Sequence, residues 1–312
     1  MALSAPSLMF EVIFDDEFSS FNTDSGIDPD TNKHVVSAIN DFADGHWRFS
    51  RFQKFIWDNI VDTALSSAER NALANQSLSL LAEAAKKLRL TDSDDDIGKG
   101  SELAEIVLYG IMKHHYRALP VVPKIFYKQN NQDNAKGADS VHIVVDGNDF
   151  SIWIGEAKFY NDIKNARLAS IVESVGNALQ SDKLEKENSI VTNINDLDYL
   201  IGDATLRSSI KSCLQSGASI DDLKSRLHVP ILMLHECAIT KACTRLTTAY
   251  KNDVIAYHKG RAQSYFKKQV EELKAKVFLY EEITFHLILF PVPEKKKIVD
   301  RFLSNVEHFK NQ

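Results

Sequence analysis

The sequence predicts an α/β protein: a mixed β-sheet flanked by helices, preceded by a mainly helical N-terminal extension. Three observations predict it. Short runs rich in β-branched and apolar residues, at 140–145, 150–158, 229–234 and 283–290, alternate with segments of helical periodicity. Asp146-Gly147-Asn148-Asp149 separates the first two runs as a strong hairpin turn, so these strands pair antiparallel. Helical segments separate the later runs, and a strand reached through such a crossover lies parallel to its neighbour.

In chain order, Leu8 to Phe14 is a short apolar run and reads as a strand, and residues 19–33 form a polar loop. From His34 to Leu90 the periodicity is helical. Phe52, Phe55, Ile56, Ile60 and Val61 trace one face, and Leu78, Leu80, Leu81, Ala84 and Leu88 another. Basic and aromatic residues interleave from His46 to Phe55, a pattern that suits base stacking and phosphate contact but equally a helix that buries its aromatics. The acidic stretch TDSDDDIGKGS, residues 91–101, marks a boundary between residues 1–95 and 96–312. A calcium loop is excluded there, because Ile97 stands where Gly is required and Leu103 where Glu is.

Glu102 to Tyr116 is a helix with Ser101 as its N-cap and His114 and His115 at its C-terminus. Pro120 and Pro123 end it. Lys124 to Tyr127 reads as a strand that leads through a polar loop to Asp139. A helix follows from about 163 to 184, then two short helices within 203–227 and a buried strand at Val229–Leu234. A long helix at about 244–278, the strand Ile283–Phe290 and a last helix reaching Phe309 complete the chain.

The 312 residues are 44% hydrophobic, ample for a real core. A net charge of −6 gives no general basic footprint for unaided nucleic-acid binding. Cys213, Cys237 and Cys243 have neither paired count nor CxxC spacing, which suits a reducing cytoplasm. The N-terminus lacks a basic segment and a long apolar run, so neither a signal peptide nor a membrane span is expected.

The chemistry concentrates in KGADSVHIVVDGNDFSIWIGEAK, residues 136–158. Ile152, Ile154, Glu156 and Lys158 share one face of the second strand, and Trp153, Gly155 and Ala157 the other. An acid and a lysine at the end of a buried strand are costly unless something compensates them. A divalent metal and a phosphate do so: carboxylates hold Mg²⁺, and the lysine orients water and offsets phosphate charge.

This arrangement resembles the PD-(D/E)xK nuclease superfamily, with Asp139 as the motif Asp and Glu156-Ala157-Lys158 as its ExK. Glu272-Leu273-Lys274 and Glu294-Lys295-Lys296 share the tripeptide, but they lie in polar helical segments. The order of elements matches the αβββαβ, restriction-endonuclease-like core of that superfamily. In it a helix before the sheet commonly supplies a further acidic ligand, here Glu102 or Glu105. Glu105 is favoured because it lies deeper in the apolar stretch AEIVLYGIM.

More narrowly, GSELAEIVLYGI, KGADSVHIVV, GEAKFYNDI and HLILFPVP are similar to the HamA family, nuclease subunits of the two-gene Hachiman phage-defence system, over roughly residues 8–310. The resemblance implies a cytoplasmic DNA nuclease dependent on Mg²⁺, or Mn²⁺ in its place. Glu105, Asp139, Glu156 and the Ala157 carbonyl would bind metal, and Lys158 would position or activate the water. It also implies a partner, a HamB-like superfamily 2 helicase that restrains the nuclease until it meets damaged or foreign DNA. Two alternatives remain: an inert nuclease-fold clamp on a helicase, and a stand-alone restriction or repair endonuclease.

Overall fold

The computed structural model describes residues 7–24, 26–27, 32–88, 100–119, 125, 138–185, 196–215 and 218–312. Its strands are β1 Glu11–Glu17, β2 Lys33–Ile39, β3 Phe42–Ala43, β4 His46–Trp47, β5 Ser140–Asp146, β6 Asp149–Tyr160, β7 Leu227–Glu236 and β8 Thr284–Val292. Six of them form one sheet in the order β1-β2-β8-β7-β6-β5, while β3 and β4 pair separately. The four central strands run parallel; among the described strands β1 and β5 are outermost and antiparallel, and Leu119 bridges to Ile143 of β5. The longer helices are α1 Phe49–Ala64, α2 Ser77–Lys86, α3 Ser101–His114, α4 Asn165–Ala178, α5 Ala204–Leu214, α6 Thr248–Leu273 and α7 Lys295–Lys310.

Strands β7 and β8 read as nearly unbroken apolar runs because helices cover both of their faces. On one face Leu232, Leu234, Ile288 and Phe290 meet Phe52 and Ile56 of α1, Leu108 of α3 and Phe302 of α7. On the other, Ile231, Met233, Leu287 and Leu289 meet Ile171 and Val175 of α4, Ile210 of α5 and Phe266 of α6. Each face buries its own cluster, and β6 contributes alternate residues to both: Ile152 and Ile154 to the second, Trp153 and Ala157 to the first. The mixed α/β sheet flanked by helices is the fold class that the element order predicts.

Two expectations need correction. Residues 34–39 are a strand, β2, where helical periodicity was expected to begin. Six residues, four of them apolar, cannot distinguish a strand from a helix by pattern alone, and the parallel pairing of β2 with β8 decides it. The sheet therefore joins strands from both sides of the acidic stretch, and β1 adds to it antiparallel. The N-cap of α3 is Gly100 rather than Ser101. Its φ of 97° is accessible to glycine at little cost, and a Cβ there would lie 3.1 Å from Val299 and 3.2 Å from Phe159.

The acidic stretch, Gly100 and Ser101 apart, lies outside the described residues, as does the polar loop before Ala138. Of the run from Lys124 to Tyr127, expected as a strand, only Ile125 is described; it is helical and buried.

Candidate active site

Strands β5 and β6 pair from Asp146 and Asp149 at the turn to Ser140 and Gly155 at the far end. Beyond Gly155, β6 continues from Glu156 to Tyr160 against β7, opposite Ile231 to His235, with no second neighbouring strand among the described residues. Asp139 stands at this parting. Its backbone N–H still donates to the Gly155 carbonyl at 2.8 Å. Its side chain then substitutes for the departed strand: Oδ2 accepts the Ala157 N–H at 3.0 Å. A buried edge N–H would otherwise lose its partner, so the aspartate is held by the fold as well as by its charge.

Glu156 and Lys158 project from the same face of β6, toward α4. The Lys158 ammonium donates to Glu156 Oε2 at 3.0 Å and lies 3.5 Å from Asp139 Oδ2. Ser174, on α4, donates to the same Glu156 Oε2 at 2.9 Å. Glu156 is only 5% exposed. Burial, then the neighbouring Asp139 charge, raise its pKa above the ordinary carboxylate value, while Lys158 and Ser174 pull the other way. Burial opposes the Lys158 ammonium too, but the Asp139 and Glu156 charges outweigh it and raise the lysine above its ordinary value. In this setting Lys158 is a cation and hydrogen-bond donor held between two carboxylates.

Two carboxylates against one ammonium leave a net negative charge, and no hydrogen bond among the described residues reaches Glu156 Oε1. An all-oxygen set of this kind suits a hard divalent cation. Among the described residues no three His, Cys, Asp or Glu side chains are grouped to hold one ion. The pair with the Ala157 carbonyl nevertheless fits Mg²⁺, which takes one or two protein carboxylates and completes its shell from water and substrate phosphate.

Of the expected site residues, Asp139, Glu156, Ala157 and Lys158 come together. Glu105 is 5% exposed on α3, in the helix layer across the sheet from Glu156 and Lys158. It lies one turn before Leu108, whose Cδ2 would be 3.0 Å from a Cβ on Gly155. Glu105 is therefore near the level of the parting but approaches from the other face; Glu102, in the first turn of α3, is only partly buried.

The stretch from His46 to Phe55 buries Trp47, Phe52 and Phe55, and both Arg48 and Arg51 pair with Asp41 at 3.2 Å, so it serves packing. His114 meets Asn59 at 3.2 Å and His115 meets Asp15 at 3.0 Å, structural contacts at the end of α3. A cleft of about 710 Å³ between α4 and α6 includes Glu173, Asn177 and Gln180 but none of the clustered charges. Ser174 is the site residue that sequence reasoning missed. It was inside the expected helix, but nothing in its spacing tied it to Glu156.

Fold and cluster define an α/β protein with an acid, acid and lysine set at the diverging edge of a mixed sheet. A family model, HamA, matches residues 13–306, and the chain belongs to the HamA family. That membership places it in Hachiman anti-phage defence. No curated protein matches the chain. Among the described residues no helix is long and apolar enough to cross a membrane.

Proposed function

We propose that the chain is a metal-dependent DNA nuclease, the effector subunit of a Hachiman complex whose other member is a superfamily 2 helicase. The observation that carries the proposal is the convergence of Asp139, Glu156 and Lys158 where β6 parts from β5. A purely structural ion pair requires one acid and one base; a second carboxylate beside a buried one adds repulsion that a divalent cation would relieve.

Asp139, Glu156 and the Ala157 carbonyl would hold Mg²⁺, or Mn²⁺ in its place; Glu105, across the sheet on α3, would join them only through a rearrangement at the parting. The ion supplies charge stabilisation at the scissile phosphate. Asp139 is kept in place by the Ala157 N–H, so the metal-facing edge is set before substrate arrives. Lys158 exchanges its carboxylate partners for a phosphate oxygen or the attacking water and positions or activates that water for in-line displacement. With a net charge of −6 the chain has little means of gathering DNA by itself, which fits delivery by a helicase partner.

The test is degradation of DNA by wild type and Glu156→Gln, in Mg²⁺ and in EDTA, with and without the helicase and ATP. The expected outcome is cleavage by wild type alone, lost in EDTA and strengthened by the helicase. Cleavage unaffected by EDTA and by the substitution would refute the metal nuclease.

A further inference from the structure

Ser174 takes no part in the chemistry described above, yet it holds one of the groups that do. We propose that Ser174 is a positioning residue for Glu156: its hydroxyl fixes the carboxylate so that Oε1 stays turned to the metal after Lys158 has moved to the substrate. The inference rests on the metal-site reading given above and adds a residue to it.

The geometry divides the two carboxylate oxygens. Oε2 receives both donors, Lys158 Nζ at 3.0 Å and Ser174 Oγ at 2.9 Å, and no hydrogen bond among the described residues reaches Oε1. The two donors differ in what they can do next. Lys158 is a compact cation on a flexible stem, and a phosphate anion competes for it. Ser174 belongs to a helix anchored by Leu168, Ile171, Val172 and Val175, all buried in the core beneath it. Its short side chain cannot follow the substrate. When Lys158 leaves, Ser174 is the donor that remains on a carboxylate that is 5% exposed, and a buried carboxylate without a donor does not keep one orientation cheaply. Partners of this kind behind a metal ligand typically change metal affinity by roughly 10- to 100-fold.

Calorimetric titration of Mn²⁺ into the DNA-free full chain tests the proposal, using wild type, Ser174→Ala, Ser174→Thr and Asp139→Asn. Ser174 is only partly buried on its helix, and alanine is the best helix former, so the first variant keeps the fold. The expected result is binding lost in Asp139→Asn, weakened at least about tenfold in Ser174→Ala, and restored in Ser174→Thr, which keeps the hydroxyl. In cleavage assays Ser174→Ala should raise the Mg²⁺ needed for half-maximal rate while leaving KM for DNA unchanged. Wild-type affinity in Ser174→Ala, with Asp139→Asn still defective, would overturn the role of Ser174 and leave the site standing. Ser174→Thr as weak as Ser174→Ala would overturn it as well, since the hydroxyl would not be what matters. Equal binding by all four proteins would remove the site and the proposal together.

Discussion

Ile152 to Gly155 and Glu156 to Tyr160 are consecutive on one strand, yet the first half of β6 lies between β5 and β7 and the second half, among the described residues, pairs with β7 alone. The first half is apolar and packs into both cores; the second carries Glu156 and Lys158 and borrows Asp139 to complete its edge. Charges enter this sheet where a neighbouring strand ends. There the Asp139 side chain takes over a hydrogen bond of the missing backbone by accepting the Ala157 N–H.

Changing the charged half should have the largest effect. Asp139→Asn and Glu156→Gln should each lower DNA cleavage by about 10²- to 10³-fold or more, the scale on which single electrostatic contacts act in a transition state. Circular dichroism should show the fold retained. A variant that unfolds would make the pair structural.

The histidines beside the paired half should cost the protein stability in acid. Trp153 faces His142 on β5 and His228 on β7, the latter stacked on it at 4.5 Å. Burial lowers both histidines from 6.5 to about 4. As the pH falls, the unfolded chain takes up these protons near 6.5 and the folded chain only near 4. Stability is therefore full above 6.5 and declines through that window. For the buried His142 alone the loss approaches about 3 kcal/mol. Urea melts between pH 4 and 7 measure it, and His142→Phe should flatten the profile.

Gly155 marks the border between the halves. A Cβ there would stand 2.5 Å from Ser140 Oγ and 2.9 Å from Pro230 Cγ, so Gly155→Ala should destabilise the protein by about 1 to 3 kcal/mol in denaturant titration. The smallest effect belongs to the look-alike motif on α6. Glu272, exposed at the end of α6, pairs at 3.2 Å with the exposed Lys276 just beyond the helix, so Glu272→Gln should cost less than about 0.5 kcal/mol and leave cleavage unchanged.

Much of this contrast was legible in the sequence. Asp146-Gly147-Asn148-Asp149 dictated the hairpin, and strict alternation placed Glu156 and Lys158 on one face. Glu105 stood out as an acid within an apolar helical run, and it is buried. Strand β2 was not legible, because Lys33–Ile39 owes its state to β8, some 250 residues away, rather than to its own pattern. Neither was the Ser174 contact, which depends on how α4 lies across β6. The cap at Gly100 was obscured by Ser101, a good capping residue one position too late.

The most direct measurement is the cleavage rate of Lys158→Ala beside wild type, in Mg²⁺ with the helicase and ATP under conditions where wild type cuts, with DNA binding measured on the same preparations. If the diverging edge of β6 is a nuclease site, the variant binds DNA and folds as wild type does but no longer cuts. Equal cutting by the two proteins would contradict it.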